Sequence, residues 1–208
     1  MNKIYEKNTI EFVTVAAEYC GFLEKCNKFS KKDFLLKLHK LLPLIYLKAT
    51  LLQIEDDEQF FDGESEIFVS EYDYGFVRNN ISQKLGKDDN YINIYNSATN
   101  DSGYEQAEIS ECVADIYQDM KNFTGNFGTG SEQAMAASLN ECIQNFKEYW
   151  GYRALSLAAA IHSLVYNFTN DEEKQQDFDD DDYFKESDEK KGGNSLINNF
   201  LENFHKKI

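Results

Sequence analysis

From Ser131 to Phe168 no proline interrupts the chain, and Met135, Leu139, Cys142, Ile143, Phe146, Tyr149, Trp150, Leu157, Ala160, Ile161, Leu164 and Phe168 recur at three- and four-residue steps. That spacing lines them along one stripe of a helix. At about 1.5 Å per residue such a helix spans roughly 50 Å, more than the width of a small domain. The stretch therefore predicts a long rod in the core, with shorter helices packed along it.

Four earlier segments supply those helices. Asn8 with Glu11 three residues on marks a helix start, and Phe12, Ala16, Cys20 and Leu23 repeat on one face, predicting a helix over 8–26. Ser30 opens the second, whose Leu35, Leu38, Leu42, Ile45, Ala49 and Leu52 form the cleanest stripe in the chain. Pro43 falls inside it and predicts a kink there, because its ring clashes with the carbonyl of His39 and it donates no hydrogen bond. A third helix is predicted over 66–85 and a fourth over 107–123, separated by a polar stretch in which Tyr91 to Tyr95 alternates like an extended segment. Glycines between Gly125 and Gly130 predict a break before the rod. The fold class these segments define is all-α: a helical bundle of about five main helices with a long C-terminal core helix.

Past Phe168 the composition changes. From Asp171 to Lys191 eleven acids face four lysines, −7 of the chain's formal −16, with few aliphatic residues and no periodicity. Such a segment cannot bury enough apolar surface to order itself. The expected organisation is a bundle domain over 1–168, an acidic disordered linker over 169–193 and a short amphipathic helix over 194–208. On that last helix Leu196, Ile197, Phe200, Leu201 and Phe204 share one side. A tethered apolar face of this kind is a partner-binding candidate, docking on its own domain or in the groove of another protein.

The acidic balance argues against nucleic acid, which is held by clustered Lys and Arg, and against anionic membranes. The amino terminus has no apolar stretch of signal-peptide length, and no window approaches the run of about 20 apolar residues a membrane span needs. A cytoplasmic protein with protein partners is expected. Cys20, Cys26, Cys112 and Cys142 show no paired spacing, which predicts buried reduced thiols. The acids Glu55 to Glu58 lack the alternation and glycine of a calcium loop and read as solvated.

Two groups of residues bear on chemistry. Glu111, Asp115 and Asp119 stack at four-residue steps on the flank of the fourth helix, the arrangement in which carboxylates share a magnesium ion with a facing helix. A matching motif on a second helix is missing, so no metal is assigned; these three are the candidates if there is one. Arg153 lands at the centre of the rod's apolar stripe. Because a buried guanidinium is costly unless paired, it is expected to meet Asp115, Asp119 or Glu18, or to snorkel out of the helix. His39, His162 and His205 lie far apart in the chain, no nucleophile motif accompanies them, and no catalytic residue or cofactor is assigned.

The segments NTIEFVTVAAEYCGFLE (8–24), KLLPLIYLKATLL (40–52), ECVADIYQDMKNF (111–123) and NFKEYWGYRAL (145–155) resemble a family of bacterial proteins of about this size, grouped only as a domain of unknown function. The resemblance spans most of residues 1–168 and leaves out the chain from Asn170 onward. It implies an all-helical cytoplasmic protein and carries no activity, cofactor or catalytic residue. The function expected is a non-catalytic protein-interaction or adaptor module; the competing reading is a metal-dependent nucleotide or phosphoester hydrolase on the acidic helix face.

Overall fold

The computed structural model describes residues 3–52, 65–96 and 102–180. The chain to Thr169 forms one compact unit, and a second begins at Asn170. Leu196, Ile197, Phe200, Leu201, Phe204, His205 and the acids Glu55 to Glu58 lie outside the described residues.

Helix α1 (Lys7–Leu23) buries Phe12, Ala16, Tyr19, Cys20 and Leu23. Its start falls one residue before Asn8, and the Asn8 amide is used elsewhere, donating to the Leu51 carbonyl at 3.1 Å. That carbonyl closes α2 (Lys31–Thr50), which Ser30 caps by accepting from the Asp33 N–H at 3.1 Å. Helix α2 continues through Pro43 as one element. Two ion pairs, Lys48 with Glu11 at 2.6 Å and Lys37 with Glu18 at 3.4 Å, fix α2 antiparallel to α1.

Helix α3 (Glu71–Leu85) begins later than the predicted Glu66. Ser70 and Asp73 form a capping box that satisfies the first free N–H groups, and a helix so capped cannot extend upstream. The residues just before it are held open by α4 (Ile109–Gly128). Asn126 on α4 accepts from the Glu66 N–H and donates to the Glu66 carbonyl, both at 2.9 Å, while Asn122 accepts from Phe68 N at 2.8 Å and Val69 N at 3.1 Å. Two amides one helical turn apart thus satisfy a backbone that has no secondary structure of its own.

Between α3 and α4 lies an antiparallel hairpin, β1 (Asn90–Asn96) with β2 (Ser102–Glu108), registered from Asn90 opposite Glu108 to Asn96 opposite Ser102. The alternation over Tyr91 to Tyr95 marked β1; its partner strand, with Gly103, Glu105 and Gln106, carries no comparable signal.

Helix α4 is the hub, packing against α1, α3 and α5 (Glu132–Asn145). It starts where the buried Asp89 carboxylate accepts from the Ser110 N–H at 2.8 Å and its hydroxyl at 2.7 Å, an anion capping a helix from outside it. It runs past the predicted end at Phe123, through Gly125. A Cβ there would collide with the Phe68 ring, so glycine lets that ring lie on the helix backbone. The break falls at Gly130, whose φ of +72° suits glycine.

The rod is continuous but not uniform. After α5 the backbone makes one π-helical turn, Phe146–Trp150, and proceeds as α6 (Gly151–Asp180). The helix therefore continues beyond the expected end at Phe168, over Asp171 to Gln176, where Glu, Lys and Gln are good helix formers. Trp150, Tyr19, Phe12, Phe34 and Phe123 are the largest side chains in the core that solvent does not reach. Each buried phenylalanine stabilises the fold by about 1.5–3 kcal/mol.

Candidate functional site

The acidic flank of α4 does not act as one set. Glu111 is exposed. Asp115 faces α3 and the rod: Tyr74 donates to its Oδ1 at 2.8 Å and Tyr149 to its Oδ2 at 2.7 Å. Arg153 Nη1 lies 3.6 Å from the same Oδ2, with side chains 25% and 17% exposed for Arg153 and Asp115. Asp119, one turn further along α4, also faces the rod and accepts from Asn145 Nδ2 at 3.0 Å. Glu18, the third acid proposed for Arg153, belongs to the ion pair with Lys37.

Arg153 is held on three sides. Its guanidinium stacks 4.1 Å above the Tyr149 ring, Nη1 donates to the Tyr149 hydroxyl at 3.0 Å, and Nε donates to the Tyr152 hydroxyl at 3.2 Å. The Tyr149 hydroxyl thus accepts from Arg153 and donates to Asp115. Tyr149 and Tyr74 both have their phenolic pKa raised, by burial first and by the bond to Asp115 second. In this arrangement both phenols stay protonated and donate to Asp115.

The π-turn puts Arg153 there. It closes when the Gly151 N–H donates to the Phe146 carbonyl five residues back. It contains one residue more than an α-turn and so rotates the downstream helix by roughly 100°. On an uninterrupted wheel Arg153 falls at the centre of the stripe. After the turn the buried apolar side chains of α6 among the described residues are Ala154, Leu157, Ile161 and Val165, and Arg153 stands at their flank, only partly buried. Gly151 is the available signal: a Cβ at that position would collide with the Phe146 carbonyl oxygen.

Beside Asp119 a cavity of about 20 Å³, lined also by Asn122, Asn126, Ser138 and Asn145, has room for one water. Burial pushes the Asp119 carboxyl up to about 6, the Asn145 bond opposing and Glu141 and Asp115 adding to the rise. On the opposite side of α4 an open cleft of about 330 Å³ is lined by Phe68, Tyr72, Phe76 and Tyr117, above an ion pair between Lys121 and Glu24 at 2.6 Å.

The histidines are a correction to the reading by chain distance. His39 on α2 and His162 on α6 meet, with Nε2 and Nδ1 3.2 Å apart. Separation in the chain said nothing about separation in space. The four cysteines are buried and free. Among the described residues no group of three or more His, Cys, Asp or Glu side chains is placed to hold a metal ion, and no helix is long and apolar enough to cross a membrane.

Fold and site together define a helical domain with a small hairpin, whose partly buried aspartate, tyrosines and arginine join three of its elements. The chain belongs to the family described as Domain of unknown function (DUF5063), whose profile matches residues 3–167. It is similar to the crystal structure of protein BF1032 from Bacteroides fragilis, a structural-genomics target, at 37% sequence identity and a TM-score of 0.68, over 78% of this chain and 94% of that one. No curated protein matches it.

Proposed function

We propose that the protein is a non-catalytic protein-interaction or adaptor module. The observation that carries this reading is an apolar stripe on the outer face of α2: Leu36, Leu44, Leu47 and Leu51 are 36%, 38%, 54% and 40% exposed. They succeed one another at helical spacing with Pro43 between them, and only Lys40 breaks the row. Single exposed leucines are ordinary, but Leu44, Leu47 and Leu51 follow one another unbroken through the last turns of α2 into its C-cap, a surface that gains free energy by being covered. Leu196, Ile197, Phe200, Leu201 and Phe204, at helical spacing in the sequence, are the second partner-binding candidate on the same chain.

The site chemistry favours the same reading. Both oxygens of Asp115 accept from tyrosines, Asp119 binds Asn145, and Glu111 stands apart, so a phosphoester hydrolase on this flank would have to dismantle the contacts joining α3, α4 and the rod. Affinity purification with the wild type and with Leu44→Glu/Leu47→Glu, read by mass spectrometry with circular dichroism as the folding control, tests the proposal. The altered stripe is expected to lose specific partners while keeping its helix content. Identical partner sets would rule out the α2 stripe, and the same comparison on a chain lacking 170–208 assigns the share of the tail.

A further inference from the structure

We propose that His39 and His162 form a binding site for a divalent transition metal, Zn²⁺ or Cu²⁺, which clips α2 to α6. Two nitrogens bound to one ion at about 2.0–2.1 Å stand roughly 3.3 Å apart at a tetrahedral angle and about 2.9 Å apart at a right angle. The observed separation of His39 Nε2 and His162 Nδ1, 3.2 Å, lies within that window. The rings are not stacked: their centroids are 5.3 Å apart with planes tilted by 50°, and the two facing nitrogens are the atoms by which they meet. The Tyr166 ring walls one side, 4.5 Å from His162 and 6.0 Å from His39.

The donors are held in place before any ion arrives. His39 is flanked on α2 by Leu38 and Leu42, and His162 on α6 by Ile161, all at 0% exposure, so the core fixes both backbones. His162 itself is exposed, which gives an ion an entrance and leaves its other positions to water. Imidazole suits Zn²⁺ and Cu²⁺, with Cu²⁺ bound more tightly at a given nitrogen site. Without metal, one ring donates a hydrogen bond to the other. With metal, both nitrogens present lone pairs, and each neutral ring keeps its proton on the far nitrogen, Nδ1 of His39 and Nε2 of His162. The contact spans 123 residues of chain, so an ion bound across it opposes separation of α2 from α6 and favours the native state.

The test uses the full chain with any affinity tag removed, titrated with Zn²⁺ and followed by thermal unfolding, beside His39→Asn and His162→Asn. Asparagine keeps polarity and most of the volume at these sites, and the metal-free melting temperature of each variant reports its folding. With metal at roughly 100 times its dissociation constant the wild type is expected to melt about 5 °C higher, reversibly on chelation. Both variants should lose the shift. Cu²⁺ added to the wild type at one equivalent should give an electron paramagnetic resonance spectrum with coupling to two imidazole nitrogens. No shift in the wild type, an equal shift in both variants, or a spectrum from oxygen ligands alone, as the acidic segment after Asn170 would give, overturns the proposal.

Discussion

Asp119 is a carboxylic acid whose burial works against its charge, and this fixes the sign of its effect on stability. Its pKa in the folded chain is about 6, against an ordinary 3.8, so between those values the native state holds a proton that the unfolded state releases. Its contribution is fully present below the unfolded value and is lost as pH rises toward 6. Asp119→Asn keeps an acceptor for Asn145 and should be more stable than the wild type at pH 7, by on the order of 2 kcal/mol. The gap should close near pH 4, a crossover that urea denaturation at the two pH values would reveal. Asn126 has the opposite character. Replacing it by alanine strips both partners from the Glu66 backbone and should cost about 1–3 kcal/mol in the same assay. The thiols behave as packing. Burial pushes Cys20 up to about 12 and raises Cys26, Cys112 and Cys142, so all four should react with a disulfide reagent only as fast as the protein opens.

At the scale of elements, the helices whose stripes were clean in the sequence, α1, α2 and α4, form near their predicted positions, because period and burial agree along them. What sequence could not supply came from side chains reaching across to other elements. The start of α3 depends on its cap and on Asn122 and Asn126 taking up the residues before it, and β2 exists because β1 offers it hydrogen bonds. The phase of α6 depends on one extra residue in the π-turn, which a wheel drawn at constant pitch cannot show. The sequence offered Asp115 as one of three acids for an Arg153 placed at the stripe's centre; the π-turn moves Arg153 to the flank, and the two tyrosines that share the aspartate with it carried no signal in the sequence. Gly151→Ala tests the turn: the new Cβ would collide with a carbonyl oxygen, the backbone must shift, and a loss of about 1–3 kcal/mol in urea denaturation is expected. The Asp115 cluster divides unevenly. Arg153→Met leaves the carboxylate its two phenolic donors and should cost less than about 1 kcal/mol, whereas Asp115→Ala orphans the part-buried Tyr74 hydroxyl, that of the exposed Tyr149 turning to water, and should cost about 1–3 kcal/mol. A double-mutant cycle measures the share that belongs to the pair.

For the whole molecule, the division at Thr169 implies that the bundle holds itself together. A chain ending there should melt within about 2 °C of the full protein, checked by calorimetry, because the unit up to that residue is compact in itself. The position of α4 reaches further. Helix α1 packs on α2 early, but α1 and α3 both also lean on α4, which is made after them, so a ribosome must deliver more than half the polypeptide before that shared partner is in place. Until then Phe12 lacks the Phe123 ring and Tyr19 lacks the Val113 carbonyl, and the α4-facing sides of α1 and α3 are exposed to chaperones and proteases. Nascent chains halted before Ile109 should be digested quickly, and those released beyond Asn145 should become resistant. Synthesis from one end to the other therefore leaves this protein vulnerable through its first half, and a pause in translation there would be felt as lost yield.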